Sequence, residues 1–180
     1  VIDANSNAAC VFAVRCRDIT VSDLVLSGNG VGVTFVDTSH SKIQNVTCER
    51  NRTAGIFLFD ASNVTLWQNC ICDNPIGVWL DDSDGCLLNA NVVCRNDQGI
   101  LCRDSQTNIA HSIVRGNAPG GGIFAAGSGS TAVANCTIFG NSRGGLNEYV
   151  YPEGGGISSD MGHPVSVTNS IIWANSPMQI

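Results

Sequence analysis

The 180-residue chain sets nine Lys and Arg against fifteen Asp and Glu, for a net charge of −6, and Lys42 is its only lysine. That balance excludes a basic stripe for nucleic acid, and no apolar run approaches the roughly 20 residues of a membrane span. Nine cysteines, with no CxxC pair and no Cys/His zinc spacing, point to an extracellular or periplasmic setting rather than to a metal site.

Taken in chain order, the opening Val1-Ile2-Asp3 carries no basic leader and reads as a processed end. A short motif then recurs, a small residue before an apolar-x-apolar run. It begins imperfectly at Cys10-Val11-Phe12-Ala13 and continues at Gly32-Val33-Thr34-Phe35, Gly55-Ile56-Phe57-Leu58, Gly77-Val78-Trp79-Leu80, Gly99-Ile100-Leu101-Cys102, Gly122-Ile123-Phe124-Ala125 and Gly156-Ile157-Ser158-Ser159. The starts lie 22, 23, 22, 22, 23 and 34 residues apart, and each copy closes on an asparagine: Asn29, Asn51, Asn74, Asn96, Asn117, Asn141 and Asn175.

Apolar residues fall in columns with a period of two, the mark of strands. The first strand of each copy points its first and third residues after the start inward. A second strand repeats this with Ile19 and Val21, Val64 and Leu66, Val165 and Val167, and a third column reads Leu26, Cys48, Ile71, Val93, Val114, Ile138 and Ile172. The strands are expected to be three to five residues long, between turns of Asp, Ser, Asn and Gly. Short strands that recur every 22 residues with no helix between them must stack on their own copies. The expected fold is therefore all-β, a right-handed parallel β-helix (solenoid) of about seven coils of 22–23 residues with three short strands each. Residues 1–180 form one domain in this reading, and the 34-residue spacing places a loop insertion at 142–155, with the bare surface excursion weighed above a binding rim.

The chain also resembles a known family. Val1-Ile2-Asp3-Ala4-Asn5, the Gly120-Gly121-Gly122-Ile123 and Gly154-Gly155-Gly156-Ile157 runs, and Asn169-Ser170-Ile171-Ile172-Trp173-Ala174-Asn175 look like bacterial secreted right-handed β-helix repeat proteins of the pectate-lyase-like superfamily. The resemblance covers nearly the whole chain and implies the fold. It does not choose among the lyases, hydrolases, epimerases, adhesins and surface proteins of that superfamily.

In enzymes of that kind the active site lies on the outer face of the first strands. Here that face presents Phe57, Phe59, Trp79, Asp81 and Arg103 together, aromatic surface beside groups that bind hydroxyls, which suits a sugar. A covered, mildly apolar sheet face is the equal alternative. Asp37, Asp60, Asp82 and Asp104 form an acidic column; calcium held by Asp60, Asp82 and Asp104 would relieve their repulsion, but capping of the strand-end turns is weighed above it, and no other cofactor is implied. Asp81 and Asp82 resemble the paired carboxylates of glycoside hydrolases, and Arg103 is the one charge-neutralising candidate for a lyase. The GHG histidine and RxK pair of the polygalacturonases are absent. His40, His111 and His163 are expected on the surface.

Cys48, Cys86, Cys102 and Cys136 read as small core residues. Cys72 and Cys94 occupy one outward column in adjacent coils, about one strand spacing apart, and are the expected disulfide; Cys10 and Cys16 are a second candidate clip. The leading function is an extracellular or cell-surface (or periplasmic) module with a structural or glycan-binding role. The alternatives are a polysaccharide lyase or glycoside hydrolase using Asp81, Asp82 and Arg103, and a self-stacking fibre or surface-layer component joined through uncapped strand edges. Partners are accordingly a polysaccharide or surface glycan, or a second copy end to end, with no nucleic acid and no membrane span.

Overall fold

The computed structural model describes residues 8–144, 154–160 and 162–177. Its strands form three parallel sheets of seven, and the chain visits the sheets in turn, once per coil. The first sheet runs from Ala9–Val14 through Val31–Val36, Ala54–Phe59, Ile76–Asp81, Gln98–Arg103 and Gly121–Ala126 to Ile157–Ser159. The second begins at Thr20–Ser22 and ends at Val165–Thr168, and the third runs from Val25–Ser27 to Ile171–Trp173. Pairing is in register: Val78 lies between Ile56 and Ile100, and Val93 between Ile71 and Val114. First-sheet strands are mostly six residues long, longer than the three to five expected. The residue before each motif start also joins the ladder, as Ile76 does with Ala54 and Gln98.

The inward columns make one continuous core. Val33, Ile56, Val78, Ile100 and Ile123 stack from the first sheet, Ile43, Leu66, Leu88 and Ile109 from the second, and Leu26, Cys48, Ile71, Val93 and Val114 from the third, all excluded from solvent. Each large aliphatic side chain contributes roughly 1.5–3 kcal/mol by leaving water.

The seven coil-closing asparagines are buried and form a ladder of their own. The backbone N–H of Asn74 donates to Asn96 Oδ1 at 3.0 Å, and that of Asn96 to Asn117 Oδ1 at 3.0 Å. From Asn51 to Asn141 the Nδ2 of each rung donates to the next Oδ1 and back to a carbonyl of the preceding coil, as Asn96 does to Ile71 at 3.0 Å. A corner that cannot reach water thus keeps its amides satisfied. The ladder explains the glycine at the second position of the middle first-sheet strands, Gly55, Gly77, Gly99 and Gly122. A Cβ on Gly77 would stand 2.5 Å from the Gly99 carbonyl oxygen and 2.8 Å from Asn96 Nδ2, so the packed corner admits only hydrogen.

Each coil turns at three corners, most of them made by a single residue in the left-handed region. The first corner holds Arg15, Asp37, Asp60, Asp82 and Asp104 with φ between 47° and 53°. Aspartate tolerates this region better than most side chains. The acidic column is thus a column of corner backbones, whose N–H groups donate to the next coil, as Asp82 does to the Arg103 carbonyl at 3.1 Å.

Three expectations need correction or a boundary. His163 is buried, 3% exposed, with Nε2 3.0 Å from Thr131 Oγ1 of the second sheet and no hydrogen-bond partner on Nδ1 among the described residues; the ring is drawn in by that contact with the preceding coil. Cys10 and Cys16 are not joined by a disulfide, and Cys16 Sγ instead donates to the Val14 carbonyl at 3.2 Å. Of the expected insertion at 142–155, residues 145–153 lie outside the described residues. Its base is anchored: Ser142 bridges to Ser176, and Arg143 bridges to Gly120.

Candidate functional site on the outer face of the first sheet

The outward positions of the first sheet stack as two files. One runs Phe12, Thr34, Phe57, Trp79, Leu101, Phe124 and Ser158; the other runs Val14, Val36, Phe59, Asp81, Arg103 and Ala126. Parallel pairing fixes their spacing at roughly 4.8 Å per coil. The side chains expected together are together. The rings of Phe57 and Trp79 lie 4.7 Å apart, and those of Phe57 and Phe59 6.3 Å. Phe59 is exposed, while Phe57 and Trp79 are half-covered by one another. Trp79 Nε1 is shielded and has no hydrogen-bond partner among the described residues.

Asp81 stands beside Phe59 and opposite Arg103, with Oδ2 3.8 Å from the Arg103 Nη1. Burial against its neighbours pushes the Asp81 carboxyl above the usual aspartate range; Arg103 opposes that rise, while Asp82 and Asp104 add to it. Asp82 does not face Asp81. It occupies the left-handed corner and is exposed, because neighbours along the chain at a strand end leave on different sides.

The remaining acids are occupied or dispersed. Asp104 accepts from Ser128 N at 2.8 Å and from Ser128 Oγ at 2.9 Å, and these bonds hold its carboxyl below the usual range. Asp37 and Asp60 are exposed corner residues. Among the described residues, no three His, Cys, Asp or Glu side chains converge as a metal-ligand set. The face gains one residue that periodicity could not indicate. Arg143 leaves the Asn141 corner, lays its guanidinium 4.9 Å over the Phe124 ring and donates from Nη1 to Ser158 Oγ at 2.8 Å. It belongs to no repeat column, since its position depends on the path of the inserted segment. The face thus carries an aromatic centre near Phe57 and Trp79, with guanidinium groups at Arg103 and Arg143 toward its C-terminal side.

Residues 2–138 match the family described as the right handed beta helix region. The chain belongs to that family. No curated protein matches it. Among solved structures it is similar to the periplasmic alginate epimerase AlgG, at 17% identity over 92% of this chain and 45% of that one, with a TM-score of 0.67. It is similar to pectate lyase Pel9A at 14% identity over 81% of this chain and 40% of that one, with a TM-score of 0.69. The A-module of the Azotobacter vinelandii mannuronan C-5 epimerase AlgE4 matches at 14% identity over 90% of this chain and 57% of that one, with a TM-score of 0.61. The chain spans about half the length of these structures, and at such identities the likeness shows the fold alone. No helix among the described residues is long and apolar enough to cross a membrane.

Proposed function

We propose that this chain is an extracellular or periplasmic β-helix module that binds a polysaccharide along the outer face of its first sheet. One observation carries the reading: an aromatic cluster of tilted rings, Phe57, Phe59 and Trp79, lies directly beside the Asp81–Arg103 pair. Aromatic rings take the apolar faces of sugar rings, and the charged pair takes hydroxyls or a carboxylate. The files run along the stack axis, so an extended polymer laid along it meets the aromatic and charged groups of the middle coils in succession. The names of the similar structures, an alginate epimerase and a pectate lyase, support a glycan as the ligand class.

The test is affinity electrophoresis and tryptophan quenching against a panel of neutral and uronic polysaccharides. The expected result is retardation by at least one polymer, lost on Phe59→Ala and weakened by Arg103→Ala. A panel that leaves the mobility unchanged for every polymer refutes the proposal.

A second reading rests on Asp81, whose raised carboxyl beside Arg103 is a pairing that a lyase could use for proton transfer and charge neutralisation. It predicts unsaturated product ends, measured by ultraviolet absorbance and abolished by Arg103→Ala. Binding without product supports the module over the enzyme.

A further inference from the structure

Away from this face, the outer side of the third sheet holds three cysteines and an arginine in one cluster. Cys72 and Cys94 sit opposite each other in adjacent coils and are joined by a disulfide, with a Cα–Cα distance of 4.7 Å. Both are buried, at 4% and 2% exposure. Cys70 lies two residues before Cys72, so the two side chains leave the strand on the same side. Cys70 is exposed, and its Sγ is 3.7 Å from Cys72 Sγ. On the other side of the bond stands Arg95. Its Nε and Nη2 are engaged by Asp73 at 2.9 and 2.7 Å, which leaves Nη1 to Cys94 Sγ at 3.6 Å.

We propose that Cys70 and the Cys72–Cys94 disulfide form a thiol–disulfide exchange site, with Cys70 as its solvent-facing nucleophile. The Cys70 thiolate attacks Cys72 Sγ, a Cys70–Cys72 bond forms, the Cys72–Cys94 bond breaks, and its electron pair leaves on Cys94 Sγ beside the Arg95 guanidinium. One disulfide and one thiolate stand on each side of the step, so no oxidant is required. An exposed thiolate in contact with a disulfide is the arrangement exchange demands, and a neighbouring cation stabilises the thiolate that departs. The product bond would span two residues of one strand, about 6.7 Å between Cα atoms. That is near the long limit of about 6.8 Å for disulfides, so the resting bond is favoured and the exchanged one is the more easily reduced. The cluster is thereby a route by which a thiol in solution reaches a bond it cannot touch directly.

The test uses the oxidised, folded full chain. Slow alkylation with limiting iodoacetamide at pH 8 is followed by cleavage before aspartates, which leaves Cys70 and Cys72 on the peptide 60–72 and Cys86 and Cys94 on the peptide 84–96, where fragmentation assigns the alkylated one. The expected products include alkylated Cys94 together with a bond inside 60–72, a pair absent from Cys70→Ser. Dithiothreitol is expected to reduce the wild type at least about tenfold faster than Cys70→Ser, because only the wild type passes through the accessible bond. Alkylation that never reaches Cys94 in the wild type, or equal reduction rates in the two proteins, would overturn the proposal.

Discussion

Replacing Asn96 with alanine probes the asparagine ladder most directly. The substitution removes the acceptor of Asn74 N and Nδ2, at 3.0 and 3.1 Å, and the donor to the Ile71 carbonyl and to Asn117 Oδ1, both at 3.0 Å. These losses are unequal. Asn74 Nδ2 keeps the Cys48 and Cys72 carbonyls, and Asn117 Oδ1 still accepts from Asn96 N. The backbone N–H of Asn74 loses its recorded acceptor, and an orphaned buried donor costs about 1–3 kcal/mol. The remaining lost bonds add about 1 kcal/mol each at most, so the variant is expected to lose about 4 kcal/mol. Asn108→Ala is the matched control, an asparagine exposed on the second sheet, where about 0.5 kcal/mol or less is expected. Urea unfolding followed by far-ultraviolet circular dichroism measures both. A difference between the two variants below about 1 kcal/mol would refute the ladder as a stabilising element.

Three further outcomes follow from the same geometry. Gly77→Ala presses a methyl against the Gly99 carbonyl and Asn96 and should cost about 1–3 kcal/mol in the same assay; an unchanged midpoint would show that the corner can open. Cys72→Ala releases a loop closed across 22 residues and should lower stability by about 3 kcal/mol without reductant, an effect that vanishes when wild type and variant are compared fully reduced. Because Asp81 is held above the usual aspartate range by burial, it takes up its proton earlier as pH falls. Binding of an acidic polysaccharide should therefore strengthen as the pH falls from 7 toward the ordinary aspartate value of about 3.9, with the rise setting in above that value, and Asp81→Asn should bind more tightly at pH 7 and lose this dependence. Affinity electrophoresis across that range tests it.

The fold was legible because one period governs both the apolar columns and the buried asparagines. Ile56, Val78 and Ile100 could be assigned to one file without knowing any contact. The outer face followed by alternation, and so did the pairing of Cys72 with Cys94. Features without a period were not legible. Arg143 reaches Phe124 from the base of an insertion, and its place is set by a path no other coil repeats. His163 sits in a Gly-His-Pro stretch that looks like any exposed turn, yet its ring is buried against Thr131 of the preceding coil. The column of aspartates was visible as a pattern, but a pattern of residue types does not distinguish side chains gathered for a cation from backbones bent into the left-handed region.

The step from Asn141 to Asn175 spans 34 residues, yet its backbone bond measures 3.0 Å, the same as rungs 22 residues apart. The stack responds only to whether the next amide arrives, not to the route the chain took to deliver it. A foreign segment spliced in after this corner should leave neighbouring floors undisturbed as long as both its ends return to the same doorway. Such a site is a natural port for grafting new recognition onto an otherwise rigid column.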